Sequence, residues 1–146
     1  MIELGNPVHG YLIAEGAGVQ FNPAVDRVIS NVRNGELTGG VIFNGYTGAS
    51  INLHTYGIDA KWASRDMLWI TFHYPFVQLG CRKLFGQIPA NNSHALDFDL
   101  KLGFKIEARI KDVFPDEDLI VVSMVREDCR WLKLKPSREF LMQEAA

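Results

Sequence analysis

The sequence has little cysteine. Cys81 and Cys129 are its two thiols in 146 residues, with neither a C-x-x-C spacing nor a histidine cluster beside them. That excludes a disulfide scaffold, leaves no expected metal site, and predicts reduced, partly buried thiols in a reducing compartment such as the cytoplasm. Long apolar runs are also missing, since none approaches the ~18 residues of a membrane span. The first residues, MIELGNPVHGYLIAEGAG, lack the basic start and apolar core of a secretion signal, so neither export nor membrane attachment is expected. Excess charge of either sign is absent: 15 lysines and arginines against 17 acids give a net charge of −2. No basic footprint for nucleic acid exists. Without internal repeats or low-complexity linkers, the chain reads as one domain spanning 1–146, and a hydrophobic content of 47% is enough to bury a core.

What is present is punctuated by glycine and proline. Residues 1–24 leave room for one short helix at about 8–15. Segments 26–32 and 37–45 read as strands around the turn RNGE, and Asn44-Gly45 suits positive φ in a tight hairpin. Segment 50–56 alternates, with Ile51 and Leu53 on one face and Asn52, His54 and Tyr56 on the other. The first half is therefore an antiparallel meander.

From Arg65 the period changes. Leu68, Phe72, Phe76 and Leu79 recur at spacings of four, four and three, predicting an amphipathic helix over 64–79 that stops at Gly80. Pro75 lies inside it, removes one N–H and crowds the carbonyl of Thr71, so a kink is expected. A strand at 82–88 completes a βαβ unit, making it parallel to the strand at 50–56. A second helix from Asn92 or Ser93 to Leu102 has Asn91 or Asn92 as cap and Gly103 as left-handed stop. Strands at 105–110 and 119–125 follow, then a tail with a short helix. Its Trp131, Leu132, Leu134, Phe140, Leu141 and Met142 either pack back on the sheet or supply a homodimer contact.

The run NNSHALDFDLKLGF carries Asn92, Ala95 three places on, and the pair Gly103-Phe104 at the helix end. With the upstream YPFVQLG it resembles the GNAT superfamily of acyl-CoA N-acyltransferases, over roughly residues 35–127. The branch in question includes ribosomal-protein N-terminal acetyltransferases and related phage-encoded proteins. The resemblance implies a GNAT-like α+β fold, a mixed sheet whose antiparallel meander leads into the βαβ unit with a splayed parallel pair. It implies acetyl-CoA as cosubstrate, its pantetheine arm lying in the splay on the strand edge at Asn52, Leu53 and His54 and on to Tyr56, with Asn92 as cap, ligand to the arm, or both. Physically, a strand that loses its neighbour offers unpaired N–H and C=O groups to an amide-containing ligand.

The same resemblance places the coenzyme pyrophosphate on the helix after the first parallel strand, over a loop of the form Gln/Arg-x-x-Gly-x-Gly/Ala. That loop falls on 59–64, where Asp59 replaces the basic or amide residue, Trp62 the first glycine, and Ser64 the small residue. A helix N-terminus still offers free N–H groups, and Lys61, Trp62, Ala63, Ser64 and Arg65 are the candidate contacts. Two readings stand: Lys61 and Arg65 are solvated charges and Trp62 a core or lid aromatic, or all three meet the coenzyme.

Acyl transfer to an amine needs a base to take the amine proton and an acid for the leaving thiolate. His54, beside the expected splay, has the right ordinary pKa for the base. The family position of a donor tyrosine is Asp99 here, which donates at neutral pH only if its pKa is raised, so solvent, Tyr56 or Tyr74 stand open as donors. His54 and Tyr56 are the catalytic candidates. The implied activity is N-acetylation of a primary amine (a peptide N-terminus, a lysine or a small amine) by direct attack. The alternative is a non-catalytic module of the same fold, serving as a CoA sensor or protein-binding domain.

Overall fold

The protein is described by a computed structural model covering residues 1–145. Its elements are β1 (Ile2–Leu4), α1 (Pro7–Ala17), β2 (Arg27–Arg33), β3 (Glu36–Asn44), β4 (Ser50–Gly57), α2 (Arg65–His73), β5 (Lys83–Pro89), α3 (Ser93–Leu102), β6 (Lys105–Phe114), β7 (Glu117–Val125) and α4 (Arg138–Ala145). The strands form one sheet in the order β1-β2-β3-β4-β5-β7-β6. Among the described residues only β4 and β5 pair in parallel. This is the expected mixed α+β architecture.

Local chemistry accounts for the elements. Asn34 and Gly35 both have positive φ between the paired Arg33 and Glu36, the two-residue turn that follows strand twist. The tight hairpin expected at Asn44-Gly45 does not form: Gly45 has φ +67° but opens a longer connection, closed where Thr47 and Ser50 hydrogen-bond. Helix α1 is longer than the sequence suggests because Pro7 opens it, Asn6 caps Val8 and His9, and Gly18 ends it. At Pro75 the missing N–H ends the α-helical ladder, and Tyr74–Gln78 continue as a π turn in which the Leu79 N–H bonds the Tyr74 carbonyl.

Alternation along the strands makes two cores. Ile29, Val41, Ile51, Leu53, Leu84 and Val122 face Met67, Ile70, Phe72 and Leu102 of α2 and α3. Val28 and Ile42 face Ile13 and Ala14 of α1 on the opposite side. Phe43, Phe72 and Phe76 are fully buried in the larger core, each contributing about 1.5–3 kcal/mol by burial. The tail packs back on this core: Trp131 and Leu132 lie against it and Phe140 is buried, its ring 5.7 Å from that of Trp69. Leu141 and Met142 stay exposed. Asp66 in the first turn of α2 accepts hydrogen bonds from the backbone N–H and the hydroxyl of Ser137, which in turn caps Phe140.

The edge strand β6 is exposed along its length. Its pairing to β7 is interrupted between Ile106 and Ala108 and again between Ile110 and Phe114, and it carries Lys105, Arg109 and Lys111. Both devices blunt a sheet edge against further pairing. Cys81 and Cys129 are free and buried, as the sequence suggests. Among the described residues no helix is long and apolar enough to cross a membrane, and no three or more metal-ligating side chains gather.

Candidate active site

The parallel pair stays together for three residues only: Ser50 with Lys83, Ile51 with Leu84, and Asn52 with Phe85. Beyond that point β4 follows β3 as far as the Gly57–Gly39 pair, while β5 follows β7 as far as Pro89–Leu119. Each strand keeps its outer neighbour and loses the inner one. The result is a cavity of about 410 Å³ between them. It is lined by Leu53–Gly57 of β4, Gln87–Pro89 of β5, Asn92, His94, Ala95, Phe98 and Asp99 of α3, Asp59, Ala60 and Trp62 of the connecting loop, and Gly16 and Ala17 at the end of α1.

Because α1 and α3 lie on opposite faces, this opening passes through the sheet. His54 is the cross-strand partner of Ile42, which belongs to the α1-side core, so its ring lies on that face. Its Nε2 is 3.2 Å from Asn44 Oδ1. If the amide oxygen is the acceptor, Nε2 carries the proton and Nδ1 keeps its lone pair. Burial lowers the His54 pKa, partly offset by the Asp26 charge, so the ring is neutral at pH 7. Tyr56, two residues on, shares that face, with its ring on bare backbone at Gly16, where an added Cβ would come within 2.3 Å of it.

On the other face Asn92 caps α3 by accepting from the Ala95 N–H at 3.1 Å. One turn on, Ala95 and then Asp99 continue the same stripe into the cavity. Asp99 is the residue at the family's donor position, for which the sequence reading requires a raised pKa. Burial raises its carboxyl from the ordinary 3.8 to about 7. The spacing 92, 95, 99 is a helical stripe, and would have placed it beside Asn92.

The loop candidates divide. Trp62 is buried, seated against Gly39 and Gly57 and 5.8 Å from the Phe98 ring, so it is a wall of the cavity. Ser64 caps α2 through the Met67 N–H and lines a separate depression with Asn31, Asp66 and Phe140. Lys61 and Arg65 are exposed, Ala63 packs on the larger core, and Asn52 closes the parallel pairing; none of these lines the cavity. Tyr74 packs on Phe43 instead, at 5.2 Å. The cavity lining holds no lysine or arginine; its titratable groups are His54, Tyr56, Asp59, His94 and Asp99. His9 lies outside the cavity lining, its Nδ1 2.7 Å from the Ser30 hydroxyl and 3.5 Å from a Glu3 carboxylate oxygen.

No protein-family model and no curated protein matches the chain. Solved structures do. The N-acetyltransferase PseH of Campylobacter jejuni superposes with a TM-score of 0.57 at 17% identity, covering 70% of each chain. A dodecameric spermidine N-acetyltransferase of Vibrio cholerae gives 0.62 at 16% identity over 70% of this chain and 66% of its own. The yncA protein of Salmonella typhimurium, solved with its cofactor acetyl-CoA, gives 0.58 at 18% identity over 68% of this chain and 64% of its own. At such identities the likeness establishes architecture, and the chain has the fold of the GNAT N-acetyltransferases.

Proposed function

We propose that this protein is an N-acetyltransferase that moves an acetyl group from acetyl-CoA to a primary amine by direct attack. The observation that carries the reading is the opening between β4 and β5, which ends the parallel pairing at Asn52–Phe85 and leaves a through-sheet cavity with His54 on one side. An extended amide-bearing arm fits such an edge, because the β4 backbone from Leu53 has lost its inner strand partner. Asn92 stands at the mouth on the α3 side and presents its side chain there. In this reading the coenzyme enters on the α3 face and the amine on the α1 face, past Gly16, Ala17 and Tyr56.

Neutral His54 accepts the amine proton as the N–C bond forms, and Tyr56 orients the amine from the same face. The lining holds no fixed cation to repel an acceptor that arrives as ammonium, which releases one proton to solvent before it attacks as the free amine. The acceptor is a peptide N-terminus, a lysine or a small amine, to which the spermidine of the V. cholerae neighbour adds polyamines. The coenzyme phosphates fall to the exposed Lys61 and Arg65 and the N-terminal N–H groups of α2 at Ser64, with Ala63 and Trp62 as the loop's floor. Action on ribosomal-protein N-termini, a phage-type lineage, a cytoplasmic location and self-association belong to the same proposal.

One observation favours the non-catalytic reading. Trp62 stands where the family loop has glycine, and its ring meets Phe98 across the coenzyme side. Thermal unfolding with acetyl-CoA separates the two. At about 100 times the dissociation constant a ligand adds about 2.7 kcal/mol, a shift of several degrees here. If millimolar acetyl-CoA and CoA leave the melting temperature unchanged, the coenzyme reading fails. With an acceptor in hand, His54→Ala should lower kcat by roughly 10²–10⁴-fold without weakening the acetyl-CoA shift; an unchanged kcat removes His54 as base.

A further inference from the structure

Asn44 has no turn to make. It ends β3 opposite Asn52 with an ordinary negative φ, and the chain turns only after it, from Gly45. Nothing in the backbone there requires asparagine, a residue that strands disfavour. Its side chain reaches along the sheet instead, with Oδ1 3.2 Å from His54 Nε2. Register explains the meeting. Ile42 pairs with His54 and Asn44 with Asn52, so Asn44 and His54 are diagonal neighbours on the α1 face. Asp26 stands at the entry to β2 on the same face, two residues before Val28 of the α1-side core and one place before the Arg27–Phe43 pair. Carboxylate, amide and imidazole thus follow one another across β2, β3 and β4.

Resting on the reading of His54 as base, we propose that Asn44 is a positioning residue that fixes the His54 tautomer, with the proton on Nε2 and the lone pair on Nδ1, and that Asp26 behind it is the charge that stabilises the imidazolium formed in turnover. An amide oxygen only accepts, so Nε2 carries a proton whenever the contact forms, in the neutral ring and in the charged one. A carboxylate at the far end favours the amide orientation that turns NH2 toward Asp26 and oxygen toward the ring. Among the described residues Nδ1 has no hydrogen-bond partner, which leaves it for the guest. Asn44 does not line the cavity, so it acts on the reaction through His54 alone. As the amine lone pair forms the N–C bond, the C–S electron pair leaves on sulfur and the nitrogen's proton passes to Nδ1. The products are the amide, the CoA thiolate and a ring with two N–H groups, one still donated to Asn44. The Nδ1 proton then leaves to solvent.

Both partners matter because the ring sits where a positive charge is disfavoured. Burial lowers the His54 pKa, and the Asp26 charge works against that effect. The other titratable groups facing His54 are Tyr56 on its own strand, Asp59 of the loop, and His94 and Asp99 of α3. Beside them β5 presents Gln87, α1 presents Gly16 and Ala17, and β3 presents Ile42. Asp26 is the charge among them that acts on the ring, and its own carboxylate is held by the Asn22 N–H at 2.8 Å. The row therefore supplies two things a base needs: a lone pair turned to the guest, and a counter-charge for the cation it becomes.

Ring-nitrogen NMR of the isotope-labelled full chain reads tautomer and titration without an acceptor, and His54→Gln identifies the His54 signals among the four histidines. In the neutral ring of the parent, Nε2 should carry the proton. Asn44→Asp keeps an acceptor and adds a charge, so the tautomer should hold and the titration should rise by about one pH unit or more. Asn44→Leu should mix the tautomers, and Asp26→Asn should keep the tautomer and lower the titration. With an acceptor amine, the acid limb of kcat/KM should follow, up in Asn44→Asp and down in Asp26→Asn, whereas a merely structural role would lower the plateau and leave the limb in place. The proposal is overturned, and the base reading survives, if His54→Ala lowers kcat but the parent carries its proton on Nδ1, or Asn44→Leu leaves the tautomer unchanged, or the two charge variants do not move the titration in opposite directions. If His54→Ala leaves kcat unchanged, or the limb ignores the His54 titration, the base reading falls and takes this inference with it. Should Asn44→Leu not fold, the parent tautomer and the two titrations decide.

Discussion

Replacing Asp99 by asparagine should stabilise the protein in a pH-dependent way, whatever the cavity binds. In the folded chain the carboxyl titrates at about 7, against an ordinary 3.8. Between those values the folded state holds a proton that the unfolded state has released. Stability contributed by that proton is complete below the unfolded pKa and is lost as pH rises through the folded one. The difference of 3.2 units (7 − 3.8), at about 1.36 kcal/mol per unit, sets a ceiling of about 4 kcal/mol at alkaline pH. Asp99 faces an open cavity, so about half of this, ~2 kcal/mol, is the working figure. Asparagine removes the titration and adds its own burial cost, which does not vary with pH. The quantity to measure is therefore the melting-temperature difference, variant minus parent, at about pH 8 less that at about pH 4. For a domain of this size it should be positive by roughly 4–8 °C. A difference that does not change with pH would refute the claim that burial holds Asp99 protonated.

Asn92→Ala removes the side-chain acceptor of the Ala95 N–H at 3.1 Å and should cost about 1 kcal/mol in urea unfolding; a neutral change would mean the cap is dispensable. Asp66→Ala deletes both acceptors of Ser137, so amides of α4 should exchange faster while those of β3 do not, and uniform exchange would show that Phe140 alone holds the tail. Gly57→Ala places a Cβ 2.1 Å from the Trp62 ring. The indole must move, at about 1–3 kcal/mol and with a shifted tryptophan emission, and an unaltered spectrum would refute the packing described.

Strand and helix positions were readable because their signals are local. Ile51 and Leu53 alternate with His54 and Tyr56, and Leu68, Phe72 and Phe76 repeat at helical spacing. The splay was expected from a resemblance, and pairing bears it out by stopping at Asn52. Other features depend on distant residues. Strand β1 is three residues long, too short to show a period, and exists because β2 offers it an edge. The buried place of Trp62 is made by Gly39 and Gly57, which no window around Trp62 contains together. The resemblance put Asp99 at the family's donor position, but its burial was not readable, because nothing in its neighbourhood of sequence announces Gly86, which its carboxyl approaches, or the departure of β4.

The three residue pairs that join β4 to β5 also have a mechanical meaning. The sheet is two leaves, β1 to β4 and β5 with β7 and β6, bound by backbone along a short spine at Ser50–Asn52. Rotation of one leaf against the other about that spine changes the width of the free ends while breaking few backbone hydrogen bonds. Side chains of α2, buried under both leaves, act as the spring that resists it. A wedge driven into the free end therefore works against packing rather than against strand pairing, and the aperture can follow the thickness of its occupant while each leaf stays whole.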